Sequence, residues 1–157
     1  MMSLSCKVLE TLKGKTLVTA ESCTGGGIGA ALTAVPGSSE VYKGGVISYT
    51  NCVKQNILGV KPELLDRYGA VSWQVADAMA SGVRHRLQAD VAVSVTGLAG
   101  PGGDEFGNPV GTVYIGYESS QKSEVRKYCF SGSREEIRIQ AVEAALNLIL
   151  QNNESGA

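Results

Sequence analysis

Three side chains, well separated in the sequence, have the chemistry for nucleophilic catalysis: Ser22, Tyr49 and Lys54. A serine hydroxyl is a poor nucleophile until a base takes its proton. The chain has one histidine, His85, between Arg84 and Arg86 on the flank of an expected helix, and it reads as a surface residue. The base must then be a lysine, a tyrosine or a carboxylate. A desolvated lysine has a lowered pKa and can serve, with a tyrosine hydroxyl relaying or orienting. Each residue also has a plainer use: Ser22 as a helix cap, Lys54 as a solvated helix charge, Tyr49 as an aromatic over a sheet edge. Spacing alone leaves both readings open. Ser119-Ser120-Gln121-Lys122 repeats the Ser-x-x-Lys spacing but falls in an expected hairpin turn, and is read as coincidence.

The glycines define where a ligand can approach. Of 20 glycines, nine fall in two clusters, Gly25 to Gly29 and Gly97 to Gly107. Gly14-Lys15-Thr16 ends like a phosphate loop, but Leu9 stands where that loop needs glycine, and the tripeptide precedes its strand. Gly25 to Ala30 fits G-x-G-x-x-A, yet Ser48 to Asn51 stand where a dinucleotide fold needs an acidic residue. Both signatures are set aside. What remains is a strand feeding a glycine-opened helix, whose free N–H groups and positive dipole end would suit an anion or a developing oxyanion. The competing reading is a tight turn with close helix packing. The second cluster follows a central strand and suits a binding wall or lid.

The elements that must position these groups alternate. Leu4, Val8, Leu9 and Leu12 recur at helical spacing, with Gly14 as a stop. A buried-type strand is expected over Thr16 to Ala20, and a small-residue helix from Thr24 to Val35. After a turn at Pro36 to Ser39, a strand over Gly45 to Tyr49 leads to a short helix capped by Asn51 and ending at Leu58. Pro62 to Tyr68 and Trp73 to Leu87 read as helices, the second capped by Ser72. Val91 to Val95 is a central strand, ending toward Thr96. Val110 to Tyr117 and Val125 to Phe130 form a hairpin. Ser133 with Glu136 makes a capping box for the last helix, which turns Ile137, Ala141, Ala144, Ala145 and Leu148 inward; fraying is expected over 151–157. The pattern predicts one α/β domain, a three-layer α/β/α sandwich on a mixed sheet of about five strands. If the first two strands are parallel, Ser22, Tyr49 and Lys54 emerge at one sheet edge.

Composition narrows the partners. The 157 residues suit a single domain. Fourteen Lys and Arg oppose fifteen Asp and Glu, a net charge of -1, so no bulk field holds a nucleic-acid polymer. Cys6, Cys23, Cys52 and Cys129 show no paired spacing, so neither a zinc site nor a disulfide framework is expected. Without a secretory-type leader or a long apolar run, the reading is a soluble cytoplasmic protein with no membrane partner.

Five blocks, met in order across about residues 5–150, together resemble one family. They are Thr19-Ala20-Glu21-Ser22-Cys23-Thr24-Gly25-Gly26, Pro36-Gly37-Ser38-Ser39, Ser48-Tyr49-Thr50-Asn51 with Lys54, Thr96-Gly97-Leu98-Ala99-Gly100-Pro101, and Pro109-Val110-Gly111-Thr112-Val113. The resemblance is to the CinA C-terminal domain, whose members include nicotinamide-nucleotide amidases. It implies hydrolysis of nicotinamide mononucleotide to nicotinate mononucleotide and ammonia in pyridine-nucleotide recycling, with no metal or cofactor and usually a homodimer. By motif, Ser22 is similar to the family nucleophile, Lys54 to its base and Tyr49 to its partner. Thr96 falls on a hydroxyl position near the site, and Arg138 resembles a site arginine. The N–H groups near Cys23, Thr24, Gly25 and Gly26 would hold the oxyanion. Many relatives carry an N-terminal nucleotide-pyrophosphatase domain that this sequence lacks, and some stand-alone relatives lack deamidase activity. Two other readings therefore stay open: a non-catalytic nucleotide-binding module and an amidase with no nucleotide requirement.

Overall fold

A computed structural model describes residues 3–154. Five strands form one mixed sheet in the order β2-β1-β3-β4-β5: β1 is Leu17–Glu21, β2 Tyr42–Ile47, β3 Val91–Gly97, β4 Thr112–Ser119 and β5 Ser123–Cys129. β1 pairs in parallel with both β2 and β3, while β4 and β5 close the sheet as an antiparallel hairpin. The helices are α1 (Leu4–Thr11), α2 (Gly27–Thr33), α3 (Asn51–Asn56), α4 (Pro62–Tyr68), α5 (Trp73–Leu87) and α6 (Arg134–Asn153).

Strand alternation divides the core between the two sheet faces. Leu17 of β1, Val91, Val93 and Val95 of β3 and Val113, Ile115 and Tyr117 of β4 pack with α1, α2 and α6. Val18, Ala20 and Ala92 face the other way, onto Val75, Met79 and Val83 of α5 and Leu65 of α4. This is the expected three-layer sandwich. The caps of the two long helices also hold: Ser72 accepts from Val75 N–H, and Ser133 with Glu136 forms the reciprocal box.

Several boundaries move, each for a local reason. The second helix begins at Gly27 rather than Thr24, because Gly25 and Gly26 adopt left-handed φ of +59° and +100° that a continuing helix forbids. β2 starts at Tyr42 rather than Gly45, since parallel pairing to Leu17 recruits Tyr42; it ends at Ile47, which leaves Tyr49 beyond the strand. Thr50, not Asn51, is the N-cap of α3, with no side-chain cap bond. β4 begins at Thr112, two residues late, because Gly111 has φ +94°. The last helix does not fray at 151. It continues through Asn153, where Asn152 Nδ2 donates to Glu124 Oε1 (2.7 Å) and Asn153 Nδ2 to the Tyr117 hydroxyl (3.0 Å). Residues 155–157 lie outside the described residues.

The small residues of α2 do reflect close packing. A Cβ on Gly27 would lie 3.0 Å from the Val142 side chain of α6, and one on Gly29 would lie 2.8 Å from the Tyr42 hydroxyl.

Candidate active site

Parallel pairing brings the carboxyl ends of β1, β2 and β3 to one edge of the sheet. The chain leaves β1 toward β2 on one side and later places β3 on the other, so the end of β1 lies where the strand order reverses. Open α/β sheets form their ligand crevice at such a point. A cavity of about 300 Å³ opens there. Its lining comes from five places: the turn after β1, the segment after β2, Ala70 between α4 and α5, the end of β3 with its glycine-rich loop, and Arg134 at the start of α6.

Ser22 and Lys54 meet inside it. After Ile47 the chain keeps one more ladder bond, Ser48 N–H to Glu21 O at 2.7 Å, then turns through Thr50 into α3. Lys54 thereby sits at the end of that helix's first turn and folds back beneath the turn it left. Its Nζ donates to Ser48 O (2.7 Å), more weakly to Tyr49 O (3.5 Å), and to Ser22 Oγ (3.2 Å). Lys54 is only 1% exposed and takes part in no ion pair among the described residues. A buried ammonium without a counter-charge is disfavoured. Burial accordingly lowers its pKa from 10.5 to about 8, only partly opposed by Cys23. Cys23 itself is pushed up to about 11 by burial, so it stays a thiol.

The remaining expected residues divide. Tyr49 lines the cavity with its ring largely exposed, and Arg134 Nη2 donates to its hydroxyl at 3.0 Å. Lys54 reaches Ser22 directly, so no relay through Tyr49 is needed. Thr96 is buried and does not line the cavity; its hydroxyl donates to Ala70 O at 2.8 Å. It shares a sheet face with Ser94, whose hydroxyl donates to Ala76 O in α5 (2.6 Å). Arg138 also stays outside the cavity. From behind the turn after Ser22, its Nε donates to Cys23 O (3.0 Å) and its Nη2 to Thr24 O (3.2 Å).

The N–H groups around the helix start divide. Those of Ile28 and Gly29 donate to the buried Glu21 carboxylate at 2.8 and 3.0 Å. Gly25 N–H donates to Ser22 O and Gly27 N–H to Thr24 O, both at 3.0 Å. The N–H groups of Cys23 and Thr24 have no protein acceptor among the described residues. They are the candidates for an oxyanion.

Arg134 is the functional candidate the sequence reading passed over. It lies one helical turn before Arg138 on the same face, and its Nη1 also donates to Gly100 O, spanning the cavity mouth. The signal was available: a capping box at Ser133 places Arg134 at the first helical position, against the same sheet edge. The glycine-rich loop is a braced wall rather than a free lid. Asn108 Nδ2 donates to Val71 O (3.1 Å), and the Phe106 ring packs where a Cβ on Gly69 would fall, 2.6 Å away.

Among the described residues no three His, Cys, Asp or Glu side chains cluster as metal ligands, and no helix is long and apolar enough to cross a membrane.

Comparison with known proteins agrees with the fold. A CinA-like protein of Prochlorococcus marinus (strain MIT 9313) is 47% identical over 148 residues, covering 93% of this chain and 34% of the relative. The chain thus spans about a third of the length of the curated relatives it matches. The crystal structure of the competence damage-inducible protein A (ComA) from Klebsiella pneumoniae subsp. pneumoniae MGH 78578 superposes with a TM-score of 0.94 at 36% identity, covering 98% of this chain and 97% of that one. The competence/damage inducible protein CihA from Agrobacterium tumefaciens gives 0.93 at 39%, covering 96% and 94%. The family description that matches, over residues 2–152, is CinA C-terminal domain. With fold and sequence in agreement, the chain belongs to the CinA C-terminal domain family.

Proposed function

We propose that the chain hydrolyses a carboxamide, with nicotinamide mononucleotide as substrate and nicotinate mononucleotide and ammonia as products. The observation that carries this reading is the buried Lys54 amine, 3.2 Å from Ser22 Oγ and without a counter-ion.

As an ammonium, Lys54 directs its three N–H bonds to Ser48 O, Tyr49 O and Ser22 Oγ. As a neutral amine it has two N–H bonds and one lone pair. The two carbonyls, which can only accept, take the two N–H bonds, and the lone pair is left facing the serine hydroxyl. The contact then reverses: Ser22 donates and Lys54 accepts. Ser22 Oγ attacks the amide carbon as its proton passes to Lys54. The carbonyl oxygen becomes an oxyanion, for which the unpartnered N–H groups of Cys23 and Thr24 serve as donors. Preorganised donors of this kind lower a barrier by about 3–4 kcal/mol. The C–N bond breaks as Lys54 returns the proton to nitrogen, and ammonia leaves. Water attacks the acyl-serine with Lys54 again as base, releasing the carboxylate and restoring the hydroxyl.

Arg134 supplies the cation for a substrate phosphate at the mouth, since arginine presents a fixed fork of donors to such oxygens. The reading carries with it a cytoplasmic setting, a nucleotide substrate and a homodimer. Ammonia release from nicotinamide mononucleotide, compared with free nicotinamide, tests it: turnover of the nucleotide and not of the base is expected. Thermal stabilisation by the nucleotide without ammonia release would instead favour a binding module.

A further inference from the structure

Glu21 immediately precedes the proposed nucleophile, yet its side chain does not enter the cavity. Strand alternation sends it to the opposite sheet face from Ser22. It is 2% exposed. A carboxylate that deep is costly unless its lone pairs are engaged, and here both oxygens are. Oε1 accepts from the Thr24 hydroxyl (2.7 Å) and Ile28 N–H (2.8 Å), and Oε2 from Gly29 N–H (3.0 Å). No Lys or Arg pairs with it among the described residues.

This arrangement replaces a local cap with a distant one. The N-cap of α2 is Gly26, which has no side chain to accept the orphan N–H groups of the first turn. Glu21 performs that task from the end of β1, where the positive helix end also favours its charge. The carboxylate therefore bridges the last residue of β1 and the first turn of α2. Between those two points lies the turn that carries Ser22 and the free N–H groups of Cys23 and Thr24. The opposite side of the turn is held by Arg138, through Cys23 O and Thr24 O. The close approach is real: a Cβ on Gly29 would lie 3.6 Å from Glu21 Oε2 and 2.8 Å from the Tyr42 hydroxyl.

We propose that Glu21 is a positioning residue, whose carboxylate, bridging β1 to α2 through Thr24, Ile28 and Gly29, fixes the turn that holds Ser22 in the cavity and carries the unpartnered Cys23 and Thr24 N–H groups. This rests on the reading of Ser22 as a nucleophile activated by Lys54. It assigns to Glu21 no contact with substrate.

The test measures the labelling rate of Ser22 by a fluorophosphonate, which needs no knowledge of the natural substrate. The Ser22 Oγ–P bond forms, the P–F bond breaks, fluoride leaves and the hydroxyl proton passes to Lys54. Glu21→Gln keeps the side-chain volume but offers one acceptor, so if its oxygen stays on Thr24 and Ile28 its amide N–H₂ opposes Gly29 N–H. Labelling is expected to slow about 10-fold to 100-fold, the scale of a small misplacement of reacting groups. Thr24→Val removes one of the three donors while leaving the charge in place, and about tenfold slowing is expected; Thr24→Ser, which restores the hydroxyl, is expected within about twofold of wild type. Hydrogen–deuterium exchange at the Ile28 and Gly29 amides, with circular dichroism, reports the clamp and the folded fraction, and rates are expressed per folded molecule. A helix cap of purely structural importance would lower stability and leave that rate unchanged. Glu21→Gln and Thr24→Val labelled at the wild-type rate per folded molecule overturn the proposal. If Glu21→Gln does not fold, the Thr24 pair decides alone. If wild-type Ser22 is not labelled, the nucleophile reading fails, and the role of Glu21 falls with it.

Discussion

The two faces of the β1 terminus hold two buried ionisable groups treated in opposite ways. On one face, three donors engage both oxygens of Glu21. On the other, Lys54 has two carbonyls and a hydroxyl but no opposing charge among the described residues, and its pKa falls to about 8. A charged group with donors on both oxygens is anchored in place, and its contribution is geometric. A charged group denied both water and a counter-ion lies close to losing its proton, and that is what proton transfer at neutral pH requires. Glu21 at the end of β1 and Ser22 just beyond it thus face a scaffold on one side and the proposed reaction centre on the other.

The sharpest way to break this comparison is at the reaction centre itself. Ser22→Ala and Lys54→Met are each expected to lower ammonia release at least about a thousandfold, since members of such a unit fail together. Nucleotide binding by calorimetry should persist in Lys54→Met. Normal turnover by Ser22→Ala would falsify the covalent route.

Arg134 separates binding from chemistry. Arg134→Ala is expected to raise KM by about tenfold to a hundredfold with kcat much less affected, because a hydrogen bond to a charged group contributes about 1.5–3 kcal/mol. The same substitution should barely alter the KM of an uncharged amide. Equal loss on both substrates would remove Arg134 from the phosphate.

The pH dependence follows from the sign of the Lys54 shift. The active form is the neutral amine, so kcat/KM should rise with pH and level off above about 8. From pH 7 to well above the midpoint the gain is about tenfold, the ratio expected of one titrating base. Steady-state rates across pH 6–10 give the profile, and a flat one separates Lys54 from the proton transfer. Arg138→Leu should have the smallest effect, about two- to fivefold in kcat with KM unchanged, since two ordinary hydrogen bonds to partly solvated carbonyls are lost.

Much of the scaffold was legible because its signals are local. Ser72, Pro62 and the Ser133–Glu136 pair mark helix starts with side chains that act within one turn, and all three start where expected. The convergence of Ser22 and Lys54 was legible too, once β1 and β2 were taken as parallel. The start of α2 was not, because its cap comes from Glu21 on a strand and leaves no mark at Gly26. Arg138 and Arg134 lie four residues apart on one helix face, and periodicity cannot say which reaches the cavity and which the turn behind it. Thr96 stands at the sheet edge as expected, and the long-range bond from its hydroxyl to Ala70 O leaves no local mark in the sequence.

One further consequence attaches to the wall of the cavity. Gly69, Ala70 and Val71 are consecutive, and each is engaged by a different residue of β3 or its loop: Phe106, Thr96 and Asn108. With that seam closed, the moving part at the entrance is the bridge from Arg134 to Tyr49 and Gly100, which is built from exposed side chains. Exposed rotamers exchange in picoseconds to nanoseconds, whereas loops that open and shut take far longer. Admission and escape of small molecules should therefore run ahead of bond breaking, leaving the chemical steps to govern throughput.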